Sequence, residues 1–446
     1  MQGRLIAVQS LIFAMSPRFS FRFPCLFPVC LALAVTATAS AEDWPEFRGP
    51  TGQGHSSATG LPTAWGPDKN VVWKSVVPGL GWSSPVVVGD RIYLTSAVAK
   101  GGERPGADRE LCALALEAAT GKIVWQKALF EQKDKDAPKI HQKNSHASPT
   151  PILLEGRLYV HFGHMGSACL DAGSGDVIWM TREHAYAPVH GNGGSPVLVD
   201  DLFIFNADAA QEPSIIALEQ ATGKWRWKVR REAEAKRKFS FCTPLVIDVG
   251  GVKQLITPGS GVVQSLDPAT GAELWRVNYD QGYSVVPRPV FADGLLFVCT
   301  GYDKPGLLAI RVDAGSKGDV TQSHLAWRLD KFVPHNPSAV VVGNEVYCVA
   351  DNGVLSCVDA KTGKVHYQER CTGPSSSSIL SADGKLFLLD ERGQGVVVQA
   401  GTTFKVLATN ALDERSLASY AVVGSDLLVR TAEHLYRFGK GGGGNQ

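Results

Sequence analysis

A short motif that ends in tryptophan recurs along this chain and constrains its fold more than any other feature. Ala-Thr-Gly-Lys-x-x-Trp and its near copies place a tight turn before a strand. The closing tryptophans lie 54, 48, 48 and 52 residues apart, and a spacing this regular predicts a repeat architecture. The turn glycines and tryptophans of the repeat are Gly121, Gly175, Gly223, Gly271 and Gly363, and Trp125, Trp179, Trp227, Trp275 and Trp327.

Each repeat is predicted to form four antiparallel strands, A to D. In the first repeat, residues 84–88, 91–95, 111–116 and 122–129 are apolar or alternating segments. A two-residue hairpin turn joins A to B, and the Thr-Gly turn joins C to D. Proline near the start of strand A is tolerated because its missing N–H need not join the ladder. Strand A is predicted to open at Ser84, Ser148, Ser195, Thr243, Arg288 and Asn336.

The repeats predict an all-β fold, an eight-bladed β-propeller of four-stranded antiparallel blades spanning residues 71–438. The last stretch, residues 419–438, holds only strands A to C, so the N-terminal strand 71–77 is expected to add the outer strand and close the ring. Seven blades is the alternative if residues 377–411, which have lost the tryptophan, are not a full blade. The repeats fall near 83–129, 147–182, 194–231, 242–280, 286–332, 337–371 and 377–411, and residues 439–446 are predicted to form a flexible Gly-rich tail.

Alternating strand direction divides the connections between the two ends of the propeller. The A–B and C–D turns are nearly all tight and share one end, which we call the turn face. The B–C and D–A connections share the other end, which we call the loop face. Binding residues commonly lie on loops that a rigid scaffold positions, so any site is expected on the loop face. The long connections are 97–110, 130–146, 182–193, 231–241 and 330–336.

The N-terminal segment has the features of an export signal. A short basic region precedes an apolar run over residues 23–35, and small residues follow up to Ala41. This pattern predicts a signal peptide over residues 1–41, with cleavage after Ala41 and a periplasmic or secreted protein. A membrane anchor is the alternative. No cysteine follows Ala41 directly, so lipid attachment there is not expected, and no membrane span is expected after cleavage. Residues 42–70 are a Gly/Pro-rich lead-in.

The repeat resembles that of the pyrroloquinoline quinone (PQQ) enzyme family. That propeller is shared by quinoprotein alcohol dehydrogenases and by BamB, a subunit of outer-membrane β-barrel assembly. The opening Asp43-Trp44-Pro45-x-Phe47-Arg48-Gly49-Pro50 looks like that of exported PQQ-like propellers of planctomycete-type bacteria. The resemblance implies that the repeat tryptophans pack between blades, which is a structural role that does not imply a bound quinone.

The same resemblance implies what a quinone enzyme would need: an adjacent Cys-Cys pair, an acidic Ca²⁺ site and a catalytic Asp. The chain has no Cys-Cys pair, and no set of residues matches the calcium ligands. No cofactor and no metal are therefore predicted, with PQQ as the alternative, and catalytic residues are unknown. The cysteines inside strand patterns are expected to be buried, although Cys348 and Cys357 could pair across one hairpin.

Histidines cluster on connections of the predicted loop face and supply most of the candidate ligand-binding residues. Imidazoles that converge there could bind a metal or act as an acid/base pair. Structural loop histidines and a solvated charged rim are the alternatives, and an anionic ligand in the channel mouth would use the same charges. The candidates are His141, His146, His164, His184, His190, Asn192, Arg288 and Asn336.

The sequence is compatible with two functions. The first is a non-catalytic exported propeller that binds a protein, peptide or carbohydrate through its loop face. The second is a PQQ- or metal-dependent oxidoreductase acting at the channel mouth, of quinoprotein-dehydrogenase type. A formal net charge of +1 gives no electrostatic reason to expect nucleic acid as a partner.

Overall fold

The computed structural model describes residues 42–279 and 281–440, which form eight β-sheets arranged as eight blades. Each blade runs from an inner strand at the channel to an outer strand at the rim. Blade 1 comprises β3 (Val86–Val88), β4 (Arg91–Ala99), β5 (Arg109–Glu117) and β6 (Ile123–Gln132). Blade 2 comprises β7 (Ile152–Leu154), β8 (Arg157–His161), β9 (Ser167–Asp171) and β10 (Val177–Thr181). Blade 3 comprises β11 (Val197–Val199), β12 (Leu202–Asn206), β13 (Ser214–Glu219) and β14 (Trp225–Arg230).

The other blades follow the same plan. Blade 4 comprises β15 (Leu245–Val249), β16 (Val252–Gly259), β17 (Val262–Leu266) and β18 (Glu273–Asn278). Blade 5 comprises β19 (Val290–Ala292), β20 (Leu295–Cys299), β21 (Leu307–Arg311) and β23 (Leu325–Leu329). Blade 6 comprises β24 (Val340–Val342), β25 (Glu345–Val349), β26 (Val354–Asp359) and β27 (Val365–Arg370). Blade 7 comprises β28 (Leu380–Ala382), β29 (Lys385–Leu389), β30 (Gln394–Gln399) and β31 (Val406–Ala411). Blade 8 comprises β32 (Ala421–Val423), β33 (Asp426–Arg430) and β34 (His434–Phe438), with β2 (Val71–Val76) as its outer strand.

The predicted eight-bladed fold is confirmed, and the seven-blade alternative is wrong because residues 380–411 form a complete sheet. The ring closes where β2, from the N-terminus, pairs antiparallel with β34 near the C-terminus. Trp73 on β2 provides blade 8 with a repeat tryptophan. Its indole N–H donates to the carbonyl of Ala118 in blade 1 at 2.9 Å.

One contact recurs between neighbouring blades. The indole of Trp179 in blade 2 lies over Gly223 in the turn of blade 3, and its N–H donates to the carbonyl of Gln220 at 2.7 Å. Gly223 has a φ of +70°, a backbone conformation that glycine adopts without strain, and a Cβ there would collide with the indole. The tryptophan of one blade and the Thr-Gly turn of the next therefore form a single interblade contact, which we call a joint. The equivalent joints pair Trp73 with Gly121, Trp125 with Gly175, Trp227 with Gly271 and Trp327 with Gly363.

The joints around blade 5 and blade 7 are built differently. The C–D turn of blade 5 is lengthened and contains β22 (Gly318–Asp319) and α1 (Thr321–His324), with β22 extending the sheet of blade 4. Trp275 therefore donates to the side chain of Gln254 at 2.7 Å instead of to the next blade. Blade 7 lacks a tryptophan, and Trp65 of the lead-in packs against Phe387 of that blade and Tyr420 beside blade 8.

The predicted openings of two inner strands are wrong by two residues. Inner strands begin at Ile152 and Val340, so Thr150 and Ser338 occupy the positions predicted for Ser148 and Asn336. The causes are local. Residues 148–151 read Ser-Pro-Thr-Pro, which offers two proline-based registers, and residues 336–339 read Asn-Pro-Ser-Ala, in which the proline stands two residues earlier than in blades 1 to 5. With this correction, the residue two positions before every inner strand is Ser84, Thr150, Ser195, Thr243, Arg288, Ser338, Ser378 or Ser419.

The first part of the lead-in fills the channel at the turn face. Trp44 bridges to Val87 of blade 1, and β1 (His55–Ser56) pairs with the inner strand of blade 7. Arg48 is buried and donates to the carbonyl of Ala339 beside blade 6 at 2.6 Å. We call residues 43–57 the plug, because they contact inner strands on opposite sides of the channel.

The cysteines of the described ranges are all free, and six of the seven are buried. Cys348 lies opposite Ser356, while Cys357 lies opposite Tyr347. Because side chains alternate between the faces of a sheet, the two thiols point to opposite faces and the possible Cys348–Cys357 pair does not form. The predicted signal peptide lies outside the described residues. Within 42–279 and 281–440, no helix has the length and apolar character needed to cross a membrane.

Candidate functional site at the loop-face mouth of the channel

The channel contains a cavity of about 300 Å³ between the plug and the loop face. Phe47 of the plug forms part of its lining, and connections from the loop face surround its mouth. In the part of the chain that the structure describes, the lining contains two cationic side chains, Lys143 and Arg237, and no Asp or Glu. The cavity therefore opens toward the loop face, where the strand order predicts a site.

A belt of hydroxyl groups surrounds the cavity. Each hydroxyl oxygen accepts a hydrogen bond from the backbone N–H of the preceding blade, at 2.9–3.2 Å. Arg288 occupies the blade 5 position, so Thr243 has no hydroxyl to which its N–H can donate. The hydroxyl belt consists of Ser84, Thr150, Ser195, Thr243, Ser338, Ser378 and Ser419, all of which line the cavity.

Aromatic rings from six connections form an arc on one side of the mouth, and all of them except His335 line the cavity. Phe239 packs edge-on against both His190 and Tyr283, with ring centroids 5.5 Å apart in each pair. At the far end, Tyr302 and His335 stack at 4.4 Å. These spacings are those of favourable aromatic pairs. The aromatic arc, in ring order, is His141, His190, Phe239, Tyr283, Tyr302 and His335.

The connection between blades 1 and 2 crosses the mouth as a strap, residues 139–146. Lys143 on the strap lies 2.9 Å from carboxylate oxygens of both Asp351 in blade 6 and Glu391 in blade 7. Burial alone would lower the pKa of Lys143, but the two carboxylates outweigh it and raise the pKa. Arg415, between blades 7 and 8, donates to the carbonyl of Gln142. The strap is thus fastened to the far side of the ring.

Three of the predicted ligand-binding residues line the cavity. His141 and His190 lie side by side, with ring centroids 5.5 Å apart, and belong to the aromatic arc. Asn336 donates from its side chain to Tyr302 and to Asp351. Arg288 points the other way, toward the plug, where it donates to the carbonyl of Phe47 at 2.7 Å.

The remaining candidates lie outside the lining of the cavity. His164 and Asn192 contact each other at 2.9 Å between His Nδ1 and Asn Nδ2. His184 is buried beside His161, and both rings contact the hydroxyl of Ser167, at 3.2 Å and 2.8 Å. The pKa of His146 is lowered by burial to about 4. The histidines between positions 141 and 190 therefore separate into at least two groups.

A model of the family described as "Outer membrane protein assembly factor BamB" matches residues 56–181, 113–323 and 259–434. Together these matches run through all eight blades. This chain belongs to the BamB family.

Individual relatives agree with that assignment at low sequence identity. BamB of Moranella endobia is 24% identical over 292 residues, covering 63% of this chain and 71% of the relative. BamB of Yersinia pestis is 24% identical over 280 residues, covering 59% and 66%. A quinohemoprotein alcohol dehydrogenase of Pseudomonas putida is 24% identical over 212 residues, but these cover only 26% of that enzyme.

Two solved structures share the fold. BamB from Moraxella catarrhalis matches with a TM-score of 0.57 and 13% identity, covering 84% of this chain and 99% of the other. A europium-containing methanol dehydrogenase matches with a TM-score of 0.61 and 11% identity, covering 89% and 98%. Because a BamB and a dehydrogenase match about equally, the fold of a BamB-family chain leaves its function to be argued from the site.

The residues of this BamB-family chain do not fit a quinone–Ca²⁺ site at the cavity. Calcium takes six to eight oxygen ligands, with carboxylates prominent among them. Asp351 and Glu391 at the mouth are both paired with the ammonium group of Lys143. The described residues contain no group of three or more His, Cys, Asp or Glu side chains that could hold a metal ion.

The buried His161 and His184 should make this BamB-family propeller less stable at low pH. Burial lowers the pKa of His184 to about 4, and that of His161 to well below its usual value of 6.5. The unfolded chain takes up protons near pH 6.5 while the folded chain does not. Stability is therefore complete above pH 6.5 and falls as the pH drops toward 4, by about 1.4 kcal/mol per pH unit for each histidine. Urea unfolding at pH 7.5 and pH 5.0 measures this loss.

A substitution at His184 tests whether these histidines cause the loss of stability at low pH. His184→Gln removes one titrating group, so its stability should fall by about 2 kcal/mol less than that of the unmodified protein between pH 6.5 and pH 5.0. An unchanged pH slope in this variant would contradict the assignment.

The hydroxyl belt and most of the aromatic arc were missed by the sequence analysis. A signal for the belt exists, since Ser or Thr stands two positions before seven of the eight inner strands. It was obscured by the two wrong strand openings, which replaced Thr150 with Ser148 and Ser338 with Asn336. The arc has no comparable signal, because its residues occupy different positions in connections of different lengths.

Proposed function

We propose that this protein is an exported, non-catalytic binding module whose loop face holds a protein partner in outer membrane protein assembly. The proposal rests on membership of the BamB family and on one structural observation: the channel is plugged at the turn face while its cavity faces the long connections. A partner can therefore reach the cavity and its surrounding loops from one side. Export is part of the proposal, as is the choice of a protein over a carbohydrate.

The loop face presents side chains of the kind that bind proteins. Phe332, between blades 5 and 6, is 44% exposed, although its carbonyl accepts a hydrogen bond from Ser356 at 3.2 Å. Its backbone is therefore held while its ring projects into solvent. Arg237 lies over the ring of Tyr283 at 4.8 Å and donates to its hydroxyl at 2.9 Å. Arginine and aromatic residues are enriched in protein interfaces.

Site-specific photo-crosslinking tests the proposal in the cell envelope. A photoreactive residue at position 332 or 238, on the loop face, should form adducts with an outer membrane assembly protein. The same residue at position 122 or 364, in Thr-Gly turns of the turn face, provides a matched control and should form at least about tenfold less adduct, because bound partners cover one face only. Adducts that are equal on both faces would contradict a loop-face partner.

Two other outcomes are informative. An absence of protein adducts at every loop-face position, with the protein confirmed in the envelope fraction, would refute a protein partner. A carbohydrate bound at the loop face would then be the remaining partner class, and it would appear as adducts of polysaccharide mass at positions 332 and 238 only.

A further inference from the structure

We propose that the outer edge of blade 2 is a second docking surface, which binds an extended apolar segment of another protein as a fifth strand of the blade. This surface lies on the rim of the propeller, separate from the loop face and from the channel. The strand concerned is β10, whose apolar side chains are unusually exposed for an outer strand. Val177, Ile178 and Met180 are 39%, 46% and 49% exposed.

The residue that follows the repeat tryptophan, or the residue in its place, is polar in every blade except blade 2. It lies on the outer strand, just past the β-bulge that each outer strand has near its start. Charged and polar side chains on an edge strand oppose the pairing of further strands. Blade 2 has Met180 at this position, and the other blades have Lys74, Gln126, Lys228, Arg276, Arg328, Gln368 and Thr409.

Blade 4 shows that an outer edge of this ring accepts an added strand. There, β22 pairs in parallel with Trp275 and Arg276, and the carbonyl of Arg276 accepts from the backbone N–H of Val320 at 2.9 Å. The backbone of Arg276 therefore faces outward. Asp319 of β22 lies opposite Arg276, and its carboxylate contributes to raising the pKa of that arginine. The added strand thus matches the charge of the edge that it covers.

Met180 is the blade 2 equivalent of Arg276, since both follow a repeat tryptophan in the same register with the neighbouring strand. Its backbone N–H and C=O therefore also face outward, and among residues 42–279 and 281–440 no other segment forms a backbone hydrogen bond with them. Another polypeptide backbone offers donors and acceptors at the spacing of a strand edge. With Met180 in place of Arg276, the matching strand has apolar side chains where β22 has Asp319.

A groove of about 530 Å³ next to β10 provides room for side chains of the bound segment. It lies between residues 183–189, which follow β10, and blade 3, and its lining includes Tyr186 and Trp225. Glu212 and Lys228 of the lining pair with each other at 2.7 Å, so their charges are mutually neutralised. The groove therefore favours apolar side chains, and pockets for side chains are what gives an added strand its specificity.

The size of the edge favours a flexible segment over a second copy of this chain. A strand of five residues is about 17 Å long. Pairing of two β10 edges alone would bury well below the roughly 1,200 Å² at which stable protein interfaces begin. A segment that is extended before it binds needs only this edge and the groove beside it.

Fluorescence anisotropy of a labelled peptide tests the proposal on the purified protein. The probe alternates threonine and valine over seven residues and has a lysine at one end and a glutamate at the other, so that it is neutral. Its control has N-methyl groups on the three central residues, which block both edges of the strand and keep the side chains. We expect saturable binding of the probe and at least about tenfold weaker binding of the control, because added strands bind through main-chain hydrogen bonds. An absence of probe binding, or equal binding of the two peptides, overturns the proposal.

Matched variants locate the peptide. Met180→Arg introduces the residue of blade 4 and should weaken probe binding about tenfold, whereas Gln126→Arg, at the equivalent position of blade 1, should not. Both positions are exposed, so neither substitution disturbs the core. Equal binding of the probe by the two variants overturns the proposal.

Hydrogen exchange and sedimentation separate the other occupants. Bound probe should slow the exchange of residues 177–181 by at least about threefold and leave that of β6 unchanged. Slower exchange confined to the loop face would overturn the proposal by placing the peptide at the site of the loop-face partner. A dimer of the free protein that Met180→Arg dissociates would also overturn it, because the occupant would then be a second copy of this chain.

Discussion

Replacing Trp73 with alanine should lower the free energy of unfolding by about 3–5 kcal/mol, the usual loss for a large buried aromatic residue. Trp73 is 8% exposed, packs over Gly121 and donates to the carbonyl of Ala118 at 2.9 Å. It is also the repeat tryptophan of the strand that closes the ring. Its removal therefore weakens the joint between blade 8 and blade 1, and urea unfolding followed by tryptophan fluorescence and circular dichroism measures the loss.

The chain provides its own control for this experiment. Trp225 lies on the outer strand of blade 3, two residues before the repeat tryptophan Trp227, and is 36% exposed. Trp225→Ala should change stability by less than about 1 kcal/mol, because it leaves no interblade cavity. Comparable losses from Trp73→Ala and Trp225→Ala would refute the interblade joint as the source of stability.

The joint also predicts a coupling. Gly121→Ala introduces a Cβ at a φ of +72°, in the space that the Trp73 indole occupies. Removing the indole relieves that collision but leaves the backbone strain and the close approach of the new Cβ to the Ser75 hydroxyl. The double variant should therefore lose less than the sum of the two single losses, by about 1 kcal/mol or more, as expected of residues in contact.

Replacing Arg288 with methionine should cost about 3–5 kcal/mol and loosen the plug, because it leaves a partly buried carboxylate without its cation. Arg288 lies 3.3 Å from Glu46, donates to the carbonyl of Phe47 at 2.7 Å and donates to the carbonyl of Pro244 at 3.0 Å. One side chain thus joins the plug to blades 4 and 5. Chemical denaturation and hydrogen exchange of residues 43–57 measure the two effects.

A second substitution distinguishes the ion pair from simple packing. Burial raises the pKa of Glu46, and Arg288 opposes that rise. Glu46→Gln in the Arg288→Met background removes the unpaired charge, so it should recover about 1–2 kcal/mol. Arg311→Met, at an exposed position on β21 of the same blade, should change stability by less than about 0.5 kcal/mol. Unchanged hydrogen exchange of residues 43–57 in Arg288→Met would contradict this anchoring role.

The repeat was predictable because its information is local. The Thr-Gly turn and the tryptophan that follows lie within a few residues of each other, and each element is specified by short-range rules for turns and alternating strands. Trp73 follows the same pattern in Val71-Val72-Trp73, so the sequence also contained the tryptophan of the closing strand. The joint itself could be seen only in the structure, because every repeat tryptophan except Trp275 packs on the glycine of the next repeat.

The plug and the cavity could not be predicted from local patterns. Arg48 contacts the carbonyl of Ala339 across 291 positions of sequence. Lys143 and Asp351, which fasten the strap, are separated by 208 positions. Neither pair shows any periodicity, since each contact exists only once the ring has closed. The histidines illustrate the same point: His141 and His190 reach the cavity, while His161 and His184 of the same sequence cluster are buried together away from it.

By itself, the sequence determined the all-β propeller and the end of the ring that carries the long connections, and it favoured eight blades over seven. These properties follow from a pattern that repeats within each blade and from the direction of alternating strands. The tertiary structure alone decided that the lead-in plugs the channel, that the strap crosses its mouth and that seven hydroxyl groups surround one cavity. The physical reason is ring closure, which brings residues with the same position in each repeat around one axis and places unrelated loops side by side.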